Sequence, residues 1–173
     1  MTAEAVPDLP SALAGLVGDW RGDGVAASID GEGGDFRFGQ QVVIAPSGPW
    51  TLSYTSRSWA LDDEPRLDLA AGAVMTEAGF WRWNPVDATI ELILASAAGH
   101  VSVCYGQIRE DAAGDGAHLE LVSDLIGRTA TGEQVAAQRR LYSRRRDVLL
   151  YAVDQAAGDQ PLRPRASAAL HPV

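Results

Sequence analysis

Apolar and polar residues alternate with period two along most of the chain, in short runs broken by turn-forming residues. Phe36 and Phe38 alternate into Val42, Val43 and Ile44. Trp50, Leu52 and Tyr54 face one way, while Thr51, Ser53, Thr55, Arg57 and Trp59 face the other. Phe80 is opposed in facing to Trp81 and Trp83, within a run over 75–83. This is the pattern of half-buried strands. Further runs cover 89–96, 99–109, 117–126, 135–144, 148–154 and 165–171, and 67–73 reads as an irregular strand. Pro46-Ser47-Gly48-Pro49, Asn84-Pro85-Val86-Asp87 and Arg145-Arg146-Asp147 are among the turns that separate them. Helical periodicity is confined to 12–17, where Ser11 caps a short helix after Pro10. Residues 1–9 are expected to be disordered, and 10–173 to form one domain.

About ten strands at this spacing predict an all-β protein. So many antiparallel strands leave edges that closure removes, which favours a ten-stranded antiparallel up-and-down β-barrel with a short N-terminal helix over a sandwich. The interior of such a barrel is too wide to fill with side chains alone and usually holds one small ligand. Function is then expected on inward-facing residues.

The first strand carries an unusual string, Gly18-Asp19-Trp20-Arg21-Gly22-Asp23-Gly24. Period two places Trp20, Gly22 and Gly24 on one face. A Trp followed by two residues without side chains predicts a plug at one barrel end beside a close backbone approach and a bend.

Composition narrows the choices. A formal net charge of −9 argues against a nucleic-acid partner, which needs a basic footprint. No run approaches the ~20 apolar residues of a membrane span, and the acidic N-terminus has no signal-peptide pattern. A single cysteine, Cys104, excludes an intramolecular disulfide, and a cytoplasmic location is the expectation. The three histidines, His100, His118 and His171, are scattered and have no metal-ligand spacing, so no metal site is expected. No nucleophile elbow or phosphate-binding loop is present, and no catalytic residue is assigned. The Arg139-Arg140 and Arg144-Arg145-Arg146 cluster reads as a solvated face around a hairpin, with a patch for an anionic partner as the alternative.

Together the motifs resemble the nitrobindin family, whose fold is similar to fatty-acid-binding proteins and lipocalins. Beside the Gly-x-Trp-x-Gly-x-Gly string, Tyr54-Thr55-Ser56-Arg57-Ser58-Trp59 resembles the family's Tyr-Thr-x-Arg-x-Trp strand. Glu77-Ala78-Gly79-Phe80-Trp81-Arg82 is similar to its Glu-x-Gly-Phe-x-Arg strand, and Gln160-Pro161-Leu162-Arg163-Pro164 to the segment before its last strand. The resemblance implies ferric heme inside the barrel, nitric-oxide binding and isomerisation of peroxynitrite to nitrate. It also implies an axial His directly after the last of these segments.

That position is Arg165 in this chain. A guanidinium stays protonated and has no lone pair to give iron. Gln155 likewise stands where the family usually has Met. The reading is therefore a nitrobindin-like barrel that has lost standard heme ligation. It binds a small, largely apolar or anionic molecule, with no cofactor expected; the alternative is a heme b protein isomerising peroxynitrite. An inward Arg must be paired, either by an acidic side chain of the protein or by a ligand carboxylate or phosphate. By analogy with fatty-acid-binding proteins, Tyr142 or Tyr151 is the expected companion of Arg165 at a ligand.

Overall fold

The structure, a computed structural model, describes residues 9–27, 34–61, 75–110 and 117–173. The expected loop at 62–65, the ambiguous strand at 67–73 and the N-terminal residues 1–8 lie outside these. A short helix, α1 (Ser11–Ala14), precedes ten strands: β1 (Gly18–Ala26), β2 (Phe36–Gly48), β3 (Thr51–Ala60), β4 (Glu77–Asn84), β5 (Thr89–Ser96), β6 (His100–Glu110), β7 (Ala117–Arg128), β8 (Val135–Arg145), β9 (Val148–Ala157) and β10 (Arg163–Pro172). Each strand pairs antiparallel with its sequence neighbours, and β1 also pairs with β10, so the sheet closes into an up-and-down barrel. No helix among the described residues is long and apolar enough to cross a membrane.

The alternation in sequence is the alternation in space. Trp81 is fully buried while Phe80 is exposed, and Leu52 and Tyr54 point inward from β3. Trp50 does not share their facing: it falls in the turn before β3 and is exposed. Gly22 and Gly24 are required by a close approach of β10. A Cβ at Gly22 would stand 2.2 Å from the Ala169 carbonyl oxygen, and one at Gly24 2.3 Å from that of Ser167. With the side chains gone, Phe38 packs across Gly24.

The two ends of the barrel differ in chemistry. At the α1 end the interior is apolar, built from Leu13, Leu16, Ile44, Leu52, Leu149 and Leu170. Trp20 plugs this end as expected: its indole Nε1 donates to the Leu16 carbonyl at 2.9 Å, and the Arg144 guanidinium lies 5.5 Å over its ring. The other end, reached by the C-terminal end of β1 and the start of β10, is called the mouth. The buried polar residues Gln40, Ser56, Glu77, His100, Ser102, Gln138, Arg140, Gln155 and Arg165 belong to the mouth half.

Candidate functional site

A charged strut crosses the lumen beneath the mouth. Arg140 on β8 and Glu77 on β4 lie four strands apart in a ring of ten, nearly opposite each other. Their side chains meet in a bidentate pair, Nη1 to Oε2 at 2.9 Å and Nη2 to Oε1 at 2.5 Å, with relative exposures of 0% and 2%. This corrects the expectation of a solvated arginine face. Arg139 does face out, bound to Asp154, but the period of two turns Arg140 inward. The inward charge is tolerable because two carboxylate oxygens meet its fork. Arg140 also donates to the Tyr142 hydroxyl at 3.2 Å and, through Nε, to Gln138 Oε1 at 3.3 Å. Burial lowers the Arg140 pKa, but attraction to Glu77 outweighs it and the net lies well above the usual value.

The two tyrosines named from sequence both point into this interior. Tyr142 and Tyr151 are register partners on β8 and β9 with ring centroids 5.9 Å apart, and Trp81 meets Tyr142 edge-on at 4.9 Å. The Tyr151 hydroxyl donates to Gln40 Oε1 at 2.7 Å, and Gln40 in turn donates to the Met75 carbonyl at 3.3 Å. Burial pushes the phenols of Tyr54, Tyr142 and Tyr151 up. Thus both tyrosines have partners within the barrel.

Arg165 sits higher, at the rim. A β-bulge between Pro164 and Ala166 lets Arg165 and Ala166 both be buried. The same bulge shifts the facing of everything after it. Strict alternation would give His171, six residues on, the facing of Arg165; it lies exposed opposite Arg21, while Ala166, Ala168 and Leu170 face in. The Arg165 guanidinium donates to the Ala27 carbonyl and, at 3.1 Å, to Glu133 Oε1. One side chain thereby ties the start of β10 to the end of β1 and to the loop between β7 and β8. The acidic partner comes from the protein itself, one of the two alternatives open from sequence. Tyr151 pairs with Ala168, so it stands two to three residues, roughly 7–10 Å, along the barrel from Arg165.

Between the strut and the rim lies a polar arc that the sequence reading did not assemble. His100 and Ser102 share an inward face of β6; Gln138 on β8 pairs in register with Gln155 on β9. Gln138 Nε2 lies 3.2 Å from His100 Nε2. Burial lowers the His100 pKa, against an opposing pull from Glu77 and Glu133. Burial also raises the Cys104 thiol, one step deeper on β6. The opposite wall of the mouth is apolar, with Ala26 and Phe38 from β1 and β2. A signal for Glu77 and Arg140 was present in the sequence. Each lies an even number of residues from an inward aromatic, Trp81 and Tyr142, and a charge in such a position must have a buried partner. Among the described residues no three His, Cys, Asp or Glu side chains gather as metal ligands.

Comparison with known proteins places this geometry. A family model described as a THAP4-like, heme-binding beta-barrel domain matches residues 10–171. A peroxynitrite isomerase of Mycobacteroides abscessus is 36% identical, over 95% of this chain and 80% of its own length. A ferric nitrobindin-like protein of Corynebacterium efficiens is 40% identical, over 92% of this chain and 65% of its own length. The crystal structure of Rv2717c from M. tuberculosis superposes with a TM-score of 0.77 at 30% identity, covering 96% of this chain and 99% of that one.

Proposed function

The chain belongs to the THAP4-like, heme-binding β-barrel family, and from that premise we propose that it binds a small, largely apolar molecule in the barrel mouth without the family's axial heme ligation. The observation that carries this reading is Arg165. The resemblance assigns the axial His to its position, and its guanidinium is buried and held by Glu133 and the Ala27 carbonyl. A guanidinium has no lone pair for iron. His100, the buried imidazole nearby, already has Nε2 against Gln138. These residues do not fit an axial ligand set. The apolar wall of Ala26 and Phe38 facing the polar arc suits a molecule with an apolar body and one polar group. An anionic group is less suited, because it would compete with Glu133 for Arg165.

The test is a hemin titration followed in the Soret region. The expected result is no sharp, stoichiometric Soret band for the unaltered protein, and its appearance on Arg165→His. Stoichiometric uptake with a sharp band in the unaltered protein would overturn the reading. It would favour a second one, a ferric-heme protein isomerising peroxynitrite, which the names of relatives such as the Mycobacteroides abscessus protein support.

A further inference from the structure

Three of the four buried side-chain polar atoms that lack a hydrogen-bond partner among the described residues lie in the polar arc at the mouth: His100 Nδ1, Ser102 Oγ and Gln155 Oε1. Native interiors leave few such atoms, so three on one patch of wall mark a place where a molecule completes the bonding. His100, Ser102 and Gln155 are 4%, 1% and 7% exposed, so these atoms are shielded from bulk solvent. The Ser102 hydroxyl interacts with the Cys104 thiol two residues along the same face.

The hydrogen-bond chain fixes which of these atoms gives and which takes. Arg140 Nε can only donate, so the Gln138 group facing it is the carbonyl oxygen. The Gln138 amide nitrogen must then face His100, and it too can only donate. His100 Nε2 is therefore the acceptor. A neutral imidazole with an accepting Nε2 carries its proton on Nδ1. The burial that lowers its pKa keeps the ring neutral. The Glu77–Arg140 strut thus sets, through Gln138, the tautomer of a ring two side chains away. The charge balance of the mouth is also set: Arg140 is matched by Glu77 and Arg165 by Glu133. Neither cation is left over for an anion.

We propose that His100 Nδ1–H is the recognition donor of a subsite for a neutral, oxygen-accepting group, such as the carbonyl of a ketone, ester or amide attached to an apolar body. Ser102 Oγ adds a hydroxyl on the same strand face, whereas Gln155 Oε1, which only accepts, takes no bond from such a group and is left for a donor elsewhere on the bound molecule. This deepens the function proposed above and rests on it. The same tautomer argues against His100 as a metal ligand, since Nδ1 holds a proton and Nε2 is engaged.

The test uses three probes of the same shape: acetylnaphthalene, ethylnaphthalene and naphthoate, substituted at one ring position. Their affinities are read by quenching of tryptophan fluorescence in the full chain. Acetylnaphthalene is expected to bind roughly 3- to 10-fold more tightly than ethylnaphthalene, the range of one neutral hydrogen bond. His100→Leu is expected to erase that ratio while leaving ethylnaphthalene affinity in place, which a merely structural histidine would not do. A nitrogen-15 correlation spectrum of the unaltered protein reads the His100 tautomer directly, and the proton is expected on Nδ1. It needs no variant, so the proposal stays testable if His100→Leu fails to fold. Equal affinities for the acetyl and ethyl probes, or a proton on Nε2, overturn the subsite and leave the apolar-ligand reading standing. Tightest binding by naphthoate overturns it in favour of an anionic group at Arg165. Binding by none of the three overturns both.

Discussion

Removing one side of the Glu77–Arg140 strut should be among the most damaging single changes in this protein, and removing both sides should not. The pair is bidentate, and both side chains are shut off from water. In Arg140→Met the Glu77 carboxylate stays buried with its cation gone, which costs about 3–5 kcal/mol. Tyr142 and Gln138 lose a donor at the same time, at about 1 kcal/mol each if nothing replaces it. With a urea slope of about 2 kcal/mol/M, the pair loss alone lowers the unfolding midpoint by about 1.5–2.5 M. Glu77→Leu should cost a similar amount by stranding the guanidinium. The double variant Glu77→Leu/Arg140→Met leaves no buried charge and fills the lumen with apolar atoms. It should lie within about 2 kcal/mol of the unaltered protein, the residue being the two lost donors. Urea unfolding followed by tryptophan fluorescence, run as a double-mutant cycle, gives the coupling directly. If Arg140→Met loses less than about 1 kcal/mol, or if the double variant falls by the sum of the singles, the strut is not a desolvated pair and the description of the lumen is wrong.

Three further outcomes follow from the same interior. Tyr54, Tyr142 and Tyr151 have raised pKa values caused first by burial, so an alkaline titration of phenolate absorbance should show them un-ionised past about pH 10. Their contribution to stability is fully present below the unfolded value of about 10 and is lost as pH rises through the raised folded values; ionisation of these three near pH 10 in the folded protein would contradict this. His100 has a lowered pKa, so its contribution is present above the unfolded value of about 6.5 and is lost as pH falls toward the folded one. Proton NMR should therefore show its ring titrating below 6.5, and a normal or raised value would remove it from the buried arc. Gly22→Ala would press a methyl against the Ala169 carbonyl, and a loss of about 1–3 kcal/mol is expected by thermal unfolding; no loss would mean β10 does not approach β1 so closely.

Much of the container was legible in the chain. The period of two gave the strands and their facing, because only one face of each is buried and a slip of one residue would invert every side chain. Trp20, Gly22 and Gly24 announced a plug and a close approach, and both are present. That an Arg, not a His, directly follows the Gln-Pro-Leu-x-Pro segment was legible too, without any structure. What the chain could not give is who meets whom across the lumen. Glu77 and Arg140 are separated by 63 positions, and only closure of the ring brings β4 opposite β8. The partner of Arg165 came from a loop, Glu133, because the bulge at the start of β10 turns the guanidinium toward it. That bulge also sent His171 outward, which strict alternation could not foresee. Sequence determines the inner and outer sets because that choice is local and periodic. Closure, shear and one inserted residue decide how the inner set is wired, because hydrogen bonds across a barrel depend on distances that no local pattern encodes.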